Sequence, residues 1–379
     1  MKRRTNPISS SRKSSSRRRT RVKERLLTVL ALAVGGNVSE GILKALALSR
    51  LRCRVIGADV GPHKLGLYTV DRAHIAPYAR DPHFADWLLD LCRKERVDAV
   101  LTGAEAILPV LAELAPRIQA ETGAVCIVSD PDTYRVGDDK LLTCQWLAAH
   151  GFPCAAFAKS DDAAAVRALA ERHGYPLLAK PRGGGGCRGL LRIENEAGLA
   201  LVAGNPDYLV QQYIGNDAEE YTAGCFCDRD GGVRGCIVMR RELHEGTTAF
   251  AEAGLYPEVR NAAIRITEQL RPMGPCNIQM RMHEGRAVCF ELNIRFSGTT
   301  PVRARMGFNE VEAALRHYVL GEPAQELPVV TRGVMIRYWN EMYVDPDGCE
   351  QLRQTGAIDT PGRFLREVEN YGMRPCEFS

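Results

Sequence analysis

The chain has 379 residues, of which 45% are hydrophobic and 25% charged, a composition typical of a folded protein with two or three domains. The formal net charge of +4 is unevenly distributed, because residues 1–25 hold eleven Lys and Arg against the single acid Glu24, which leaves the remaining 354 residues with a net charge of −6. The body of the chain therefore lacks the basic field of a nucleic-acid-binding domain. The apolar run at residues 26–34 is too short to span a bilayer, so we expect no membrane association.

The basic tail, residues 1–25, has no aliphatic residue between Ile8 and Val22. It is predicted to be disordered because it cannot bury enough apolar surface to offset its ordering entropy. We favour a solvated tail or a start codon assigned too far upstream. Contacts to nucleic-acid phosphates and an organelle transit peptide are the alternatives. Since only this tail suggests nucleic acid, we do not expect a nucleic-acid partner.

Thirteen cysteines are scattered through the chain, an odd number without any CxxC pair. This spacing indicates neither a disulfide framework nor a metal cluster. We therefore expect free thiols in the reducing cytoplasm.

Short β-rich runs alternate with helical periodicity between residues 26 and 128. Such alternation predicts a parallel, doubly wound sheet, and hence a Rossmann-like domain over residues 26–135. In chain order the predicted elements are strand 26–34, helix 40–49, strand 53–58, helix 86–95, strand 99–102, helix 107–120 and strand 124–128.

The pattern becomes more β-rich in the second half of the chain. Asp138 is predicted to cap a helix that runs to His150, and a linker is expected at Gly321-Glu322-Pro323. We expect a second domain at residues 136–320 with a small lobe at about 155–214, followed by a C-terminal extension at 321–379. The further predicted strands are 177–180, 189–193, 208–213 and 333–339.

A glycine-rich loop follows directly on one of these strands. The strand at 177–180 ends in Lys180 and is followed by Pro181, four consecutive glycines at 183–186 and then Gly189. Glycines let backbone N–H groups approach phosphate oxygens closely, and the lysine adds a positive charge. The loop is not a Walker A motif, since a strand and not a helix comes next. A surface hairpin without a ligand is the alternative.

A polar hairpin is predicted between residues 276 and 293, with its turn at 283–285. Period-2 alternation places Glu291 and Asn293 on one face, and antiparallel pairing brings Gln279 close to them. A carboxylate with amide oxygens suits Mg²⁺, which keeps few protein ligands beside nucleotide phosphates. Arg295 continues the alternation toward a phosphate. The structural alternative is a merely solvated polar face.

The order of three motifs resembles that in the ATP-grasp superfamily: the glycine loop, then LVQQYIGNDAEEY, then IQ…FELNIRFSG. The resemblance is closest to the carbamoyl-phosphate synthetase-like or carboxylate–amine ligase branch of that superfamily. The segment VGGNVSEGILKALALSRLRCRVIGADVGPHKLGLY resembles the pre-ATP-grasp domain of the same enzymes. The resemblance covers roughly residues 26–320. It implies an α/β and α+β fold, with a Rossmann-like pre-ATP-grasp domain followed by a two-lobed ATP-grasp fold.

The resemblance also assigns roles to residues of this chain. Arg241 and Arg295 are implied to face the transferring phosphoryl group, while Gln279, Glu291 and Asn293 are implied to bind Mg²⁺ or Mn²⁺. ATP is the implied nucleotide, with lysines and glycines at its phosphates, a hinge at adenine and an acid at the ribose. The residues implied to bind it are Lys140, Lys180, Gly183, Gly184, Gly185, Gly186, Gln211, Gln212, Tyr213, Ile214 and Glu220.

The implied function is an ADP-forming ligase that activates a carboxylate as an acyl phosphate and joins it to an amine. Its partners would then be small-molecule carboxylates and amines, and a homodimer is compatible with the resemblance. Gln279 stands where many relatives have Asp or Glu. The chain also resembles a single ATP-grasp unit, and this argues against carbamoyl phosphate as the product. A non-catalytic, ATP-binding regulatory protein on the same fold is the alternative.

Three charged residues outside these motifs stay open. Glu105 lies just before the 107–120 helix and either favours its dipole or lines the cleft. Arg303 and Arg305 either bind an acidic substrate or pair with Glu310 and Glu312 as ordinary charges flanking a helix, and we favour the second interpretation.

Overall fold

The structure, a computed structural model, describes residues 25–185 and 188–368. The predicted disorder of the tail, apart from Arg25, and the predicted role of Gly186 lie outside these residues. No helix in the described part of the chain is long and apolar enough to cross a membrane.

The strands of the described residues build two six-stranded sheets, one four-stranded sheet and one two-stranded ribbon. In chain order they are β1 (Leu27–Leu32), β2 (Cys53–Asp59), β3 (Arg72–Ile75), β4 (Ala99–Thr102), β5 (Val125–Cys126), β6 (Phe157–Lys159), β7 (Leu177–Pro181), β8 (Leu191–Ile193), β9 (Tyr208–Gln212), β10 (Glu220–Cys227), β11 (Val233–His244), β12 (Thr247–Gly254), β13 (Gly274–His283), β14 (Arg286–Asn293), β15 (Gly333–Ile336), β16 (Met342–Val344), β17 (Ala357–Asp359) and β18 (Leu365–Val368).

The helices pack against these sheets. In chain order they are α1 (Asn37–Ala47), α2 (Phe84–Glu95), α3 (Leu108–Thr122), α4 (Pro131–Asp138), α5 (Lys140–Ala149), α6 (Ala163–His173), α7 (Glu196–Leu199), α8 (Pro257–Leu270), α9 (Thr300–Arg305), α10 (Glu310–Ala314) and α11 (Pro346–Thr355), with 3-10 turns at Leu65–Tyr68, Asp217–Glu219 and Pro361–Phe364 and a π-helical turn at Leu315–Val319.

The N-terminal sheet has the order β17-β3-β2-β1-β4-β5. Its five N-terminal strands are parallel, which confirms the predicted Rossmann-like architecture. Their side chains form near-continuous apolar runs because helices cover both faces of such a sheet. Leu30, Leu32 and Ile56 pack toward α2 and α3, while Leu27 and Val29 pack toward α1.

The small lobe is a four-stranded antiparallel sheet in the order β6-β9-β7-β8, and it falls within the predicted range of residues 155–214. Its core is small, built around Leu177, Ala179 and Val210, with α6 packed on one face. The opposite face looks toward the large sheet, whose order is β14-β13-β10-β11-β12-β15. Helix α8 covers the back of the large sheet, where Ala263 and Ile266 are buried.

The predicted helix cap at Asp138 is wrong. Two short helices meet there: Asp138 is the last residue of α4 and accepts a hydrogen bond from the Tyr134 hydroxyl at 3.0 Å. The cap of α5 is Asp139, whose carboxylate accepts from the backbone N–H of Leu141 at 2.9 Å. Asp139 has extended backbone angles, as a cap residue requires, and Asp130 caps α4 in the same way.

The C-terminal segment contributes one strand to each of the two six-stranded sheets. Strand β15 pairs with β12 at one edge of the large sheet, and β17 pairs antiparallel with β3 at one edge of the N-terminal sheet. The strand predicted at 333–339 ends at Ile336. Sheet edges expose unpaired backbone groups, and the returning chain satisfies those on β12 and β3.

Candidate functional site

Two cavities border the large sheet and share part of their walls. The first, about 380 Å³, lies between the small lobe and the large sheet. The second, about 890 Å³, lies between the large sheet and the first residues of α1. The residues that line both are Gly184, Gly185, Arg188, Arg241, Gly246, Gln279 and Glu291.

Lys180 lies at the end of β7 and faces the first cavity. Its ammonium donates to Gln211 Oε1 at 2.7 Å and lies 5.1 Å from the centre of the Phe290 ring. Burial lowers the pKa of Lys180, although the negative charge of Glu291 acts in the opposite direction. A phosphate beside this ammonium would restore the solvation that burial removes.

Lys140 approaches the glycine loop from α5. Its ammonium donates to the backbone oxygen of Gly184 at 2.5 Å. Next to it, Asp139 holds Arg182 through two hydrogen bonds from Nε at 3.2 Å, and this ion pair anchors the beginning of the loop to α5. The structure thus brings Lys140, Lys180, Gly184 and Gly185 to the wall of one cavity.

Glu220, at the start of β10, is clamped between two arginines. Its Oε1 accepts from Arg241 Nη2 at 2.8 Å and its Oε2 accepts from Arg281 Nη2 at 2.7 Å. Burial lowers the pKa of Arg281, but the hydrogen bond and charge of Glu220 outweigh it, so the pKa is raised. Glu220 lines the first cavity, with both oxygens engaged by guanidinium groups.

Of the four residues predicted to form the hinge, three line the first cavity and one does not. Gln211, Gln212 and Ile214 line it. Tyr213 is not among its lining residues, but its ring lies 4.8 Å from the guanidinium of Arg192 and 5.2 Å from that of Arg281, which does line the cavity. The Tyr213 hydroxyl also donates to Asp217 Oδ1 at 3.2 Å, so that the side chain packs against two residues of the cavity wall.

The polar hairpin of β13 and β14 forms the floor where the cavities meet. Gln279 lies directly opposite Glu291 in register, and a β-bulge follows at Phe290. Asn293 Nδ2 donates to Glu291 Oε1 at 2.9 Å, and Arg241 Nη2 donates to Gln279 Oε1 at 2.6 Å. The predicted proximity of the three oxygen-bearing residues is confirmed, and a bulge is a common device for redirecting side chains.

The donor set of this hairpin fits Mg²⁺ with a small number of protein ligands. Glu291 lines both cavities, whereas Asn293 lines an adjoining recess that also contains Lys140, Gly184 and Glu291. Among the described residues there is no group of three or more His, Cys, Asp or Glu that could hold a metal, so one carboxylate and amide oxygens would have to suffice. Glu291 and Asn293 meet this requirement, since Mg²⁺ keeps phosphates and waters for its other positions. The hydrogen bond from Arg241 makes Gln279 the weaker candidate, because a guanidinium already occupies its oxygen.

Arg295 faces the second cavity and not the first. Strand β14 ends at Asn293, so the predicted alternation does not extend to Arg295. Its guanidinium donates to Glu105 Oε1 at 2.8 Å. Glu105 also borders the glycine loop, because a Cβ at Gly185 would lie 2.5 Å from the same oxygen. Glu105 therefore lines the cleft, the alternative that the sequence left open.

Three residues of the site were missed by sequence reasoning. Arg281 lies two residues beyond Gln279, so strand alternation could have indicated it. Phe290 reaches the first cavity through the bulge, which period-2 patterns cannot reveal. Arg337 of the C-terminal segment donates to the Thr248 and Gly298 carbonyl oxygens, each at 2.9 Å, and no local signal connects it to them.

Comparisons with known proteins agree with this geometry. Residues 204–342 match the family described as ATP-grasp in the biosynthetic pathway with Ter operon. Residues 33–127 match the family described as PylC-like, N-terminal domain. The first range includes all six strands of the large sheet, and the second extends from α1 to β5 of the N-terminal sheet. These matches identify an ATP-grasp domain in this chain and, before it, a PylC-like N-terminal domain.

Individual relatives are distant. The chain is 26% identical over 253 residues to the carbamoyl phosphate synthase large chain of Deinococcus radiodurans, a match that covers 62% of this chain and 24% of that protein. This chain therefore spans about a quarter of the length of that relative.

Solved structures show the same fold at low identity. The N5-carboxyaminoimidazole synthetase of Staphylococcus aureus, complexed with ADP, superposes with a TM-score of 0.65 at 14% identity over 87% of this chain and 85% of that one. The biotin carboxylase domain of the Hydrogenobacter thermophilus 2-oxoglutarate carboxylase gives 0.64 at 20% identity, over 85% and 76%.

Proposed function

We propose that this protein is an ADP-forming ligase that uses ATP to activate a substrate carboxylate as an acyl phosphate and then joins it to an amine. The observation that carries the proposal is the shared wall of the two cavities at Arg241, Gln279 and Glu291. A nucleotide in the first cavity would direct its terminal phosphate toward the second. The second cavity, at about 890 Å³, has room for a carboxylate and a nucleophile.

The residues of the site match the requirements of phosphoryl transfer, which depends on positioning and charge neutralisation more than on covalent chemistry. Lys140, Lys180 and the glycine loop bind and orient the phosphates. Glu291 and Asn293 would hold Mg²⁺ or Mn²⁺, which would neutralise charge on the phosphates. Arg241 and Arg295 face the charge that develops on the carboxylate side.

The glycine loop also has a protective role in this proposal. An acyl phosphate is labile in water, so a ligase must exclude water while the nucleophile attacks. Gly184 and Gly185 line both cavities, and the loop is held by Lys140 on one side and bordered by Glu105 on the other. The loop therefore covers the point where the acyl phosphate would form.

The proposal is tested by a screen for ADP release against a library of carboxylates, each with and without an amine library. Bicarbonate belongs in the screen, because the Hydrogenobacter thermophilus domain was solved with MgADP and bicarbonate. We expect ADP release only in the presence of a particular carboxylate, and an amide product by mass spectrometry. ATP binding without carboxylate-dependent ADP release would instead support the non-catalytic, regulatory alternative.

A separate variant tests the assignment of Glu291 as a metal ligand. Glu291→Gln removes the only carboxylate of the proposed ligand set, and we expect it to abolish carboxylate-dependent ADP release. Glu284→Gln is the matched control, since Glu284 is exposed in the turn of the same hairpin. Retained turnover in Glu291→Gln would refute the metal assignment.

A cytoplasmic location and a homodimer belong to the same proposal. The described cysteines are all free thiols, as in proteins of a reducing compartment. The Hydrogenobacter thermophilus domain was solved as a dimer. Light scattering on the purified protein tests the homodimer, and a monomer at micromolar concentration would contradict it.

A further inference from the structure

Arg303 and Glu310 form an ion pair in the interior of the protein, below the second cavity. Neither residue is exposed to solvent, at 0% each, and Arg303 Nη1 lies 3.3 Å from both Glu310 oxygens. The expected pairing of Arg303 with Glu310 is therefore present, but it is buried and is not an ordinary pair of charges flanking a helix. The second expected pair is absent, because Arg305 is exposed and Glu312 accepts from Arg316 at 2.9 Å.

The fold makes specific room for this buried guanidinium. Gly224 in β10 lies against it, and a Cβ at Gly224 would lie 2.1 Å from Arg303 Nη1. Arg303 Nε has no hydrogen-bond partner in the described residues. Burying two charges costs several kcal/mol per ion, so that such a pair is weak evidence for stability in itself. These costs point to a role other than holding the fold together.

The pair fixes the orientation of a side chain that lines the second cavity. Arg303 Nη2 donates to Asn277 Oδ1, and Thr222 Oγ1 donates to the same oxygen at 2.7 Å. A guanidinium can only donate, so the amide of Asn277 must turn its oxygen toward Arg303. Among the described residues, both hydrogen bonds of the Asn277 side chain are to Oδ1, and its Nδ2 makes none. Asn277 and Thr222 both line the second cavity.

Asn277 is next to the proposed reaction centre. It lies two residues before Gln279 on the same face of β13 and opposite Asn293 in register. A fixed N–H donor at this place can stabilise an anionic oxygen without reorganising when charge develops there.

We propose that the buried Arg303–Glu310 pair positions Asn277, so that its Nδ2–H₂ group donates to an anionic oxygen of the carboxylate or acyl phosphate in the second cavity. This inference rests on the proposed function. Arg303 and Glu310 are positioning residues, since neither reaches the cavity, whereas Asn277 touches the ligand.

The test uses inorganic phosphate as a stand-in for the transferred phosphoryl group, with the full-length protein saturated with MgADP. Calorimetry first establishes MgADP binding, and its absence would count against the proposed function. Nitrogen-15 NMR of the asparagine side-chain amides then follows Asn277, whose signal is identified by its loss in Asn277→Asp. We expect phosphate to shift this signal, and no shift in the MgADP complex would overturn the inference.

The variant that tests positioning is Arg303→Met/Glu310→Gln. Replacing both members of a buried pair by neutral groups is tolerated far better than removing one, and the glutamine keeps an acceptor for Thr300, which donates to Glu310 at 2.5 Å. We expect phosphate affinity to fall ~10- to 100-fold, because one hydrogen bond to a charged group is lost. Arg305→Met, on the same helix, is the matched control and should change nothing.

Two further variants separate positioning from a structural effect. In an Asn277→Ala background, adding Arg303→Met/Glu310→Gln should lower phosphate affinity no further, because the two act through one group. An additional loss would overturn the inference. If the double variant does not fold, Asn277→Asp decides: its carboxylate keeps a partner for Arg303, and we expect an unchanged melting temperature with a loss of phosphate affinity. Unchanged affinity would overturn the inference.

Discussion

Arg241 and Glu220 form a buried ion pair where the two cavities meet, with Arg241 Nη2 2.8 Å from Glu220 Oε1. The same Arg241 nitrogen lies 2.6 Å from Gln279 Oε1. Glu220 belongs to the nucleotide side of the cleft, while Arg241 also faces the second cavity. The pair therefore connects nucleotide binding to the geometry of the proposed reaction centre.

This connection predicts the effect of Glu220→Gln. The variant leaves Arg241 and Arg281 without their shared carboxylate, so we expect the free energy of unfolding to fall by ~3 kcal/mol, as for a broken buried pair. MgADP affinity should fall ~10-fold, since Arg241 is no longer held in place. Chemical denaturation and calorimetry measure both. Glu219→Gln, at an exposed neighbouring position, is the control, and equal effects in both variants would contradict the clamp.

The packing of the glycine loop against Glu105 predicts a difference between two glycines. A Cβ at Gly185 would lie 2.5 Å from Glu105 Oε1, whereas a Cβ at Gly183 would meet no atom within 4 Å. We expect Gly185→Ala to lower kcat ~10-fold by displacing the loop or Glu105, with the melting temperature unchanged. Gly183→Ala is the control and should retain activity. Equal activity in the two variants would show that the loop does not close against Glu105.

Burial of Lys180 predicts a pH dependence of nucleotide binding. Because burial lowers the pKa of Lys180, its ammonium loses the proton at a lower pH than an ordinary lysine does. The part of the MgADP affinity that depends on the positive charge of Lys180 is therefore fully present below this pKa and is lost as the pH rises through it. Calorimetry across the alkaline range should show this weakening.

Lys180→Arg is the variant that isolates this effect, because a guanidinium stays protonated throughout that range. The alkaline loss of affinity should then disappear, even if neutral-pH affinity is reduced. Lys159→Arg, at an exposed position in β6, should keep the wild-type profile. An unchanged alkaline profile in Lys180→Arg would assign the titration to another group.

The contacts of Arg337 predict that the C-terminal segment has a role in binding the carboxylate substrate. It joins the Thr248 and Gly298 carbonyl oxygens at 2.9 Å and reaches Asn37 Oδ1 at 3.5 Å, and all three of these residues line the second cavity. We expect Arg337→Ala to raise KM for the carboxylate ~10-fold while KM for ATP stays the same. Arg332→Ala, at an exposed position, is the control. A change in KM for ATP alone would place Arg337 outside the carboxylate site.

Local patterns were sufficient for much of the site. The strand that carries Lys180 near its C-terminal end and the register that opposes Gln279 and Glu291 were both predictable, because strand alternation and hairpin pairing act over a few residues. The pairing of Glu220 with Arg241 and Arg281 was not, since these residues lie on three strands whose order in the sheet no local pattern encodes.

The amino-acid sequence by itself determined the order of the elements, the glycine loop and the polar face of the hairpin, because these depend on periodicity and on residue types close together in the chain. Only the tertiary structure decided that Arg303 is buried under the second cavity, that Phe290 bulges into the first and that the C-terminal strands complete both large sheets. The reason is physical: burial, bulges and sheet edges depend on which distant segments pack together, and packing is a property of the folded chain.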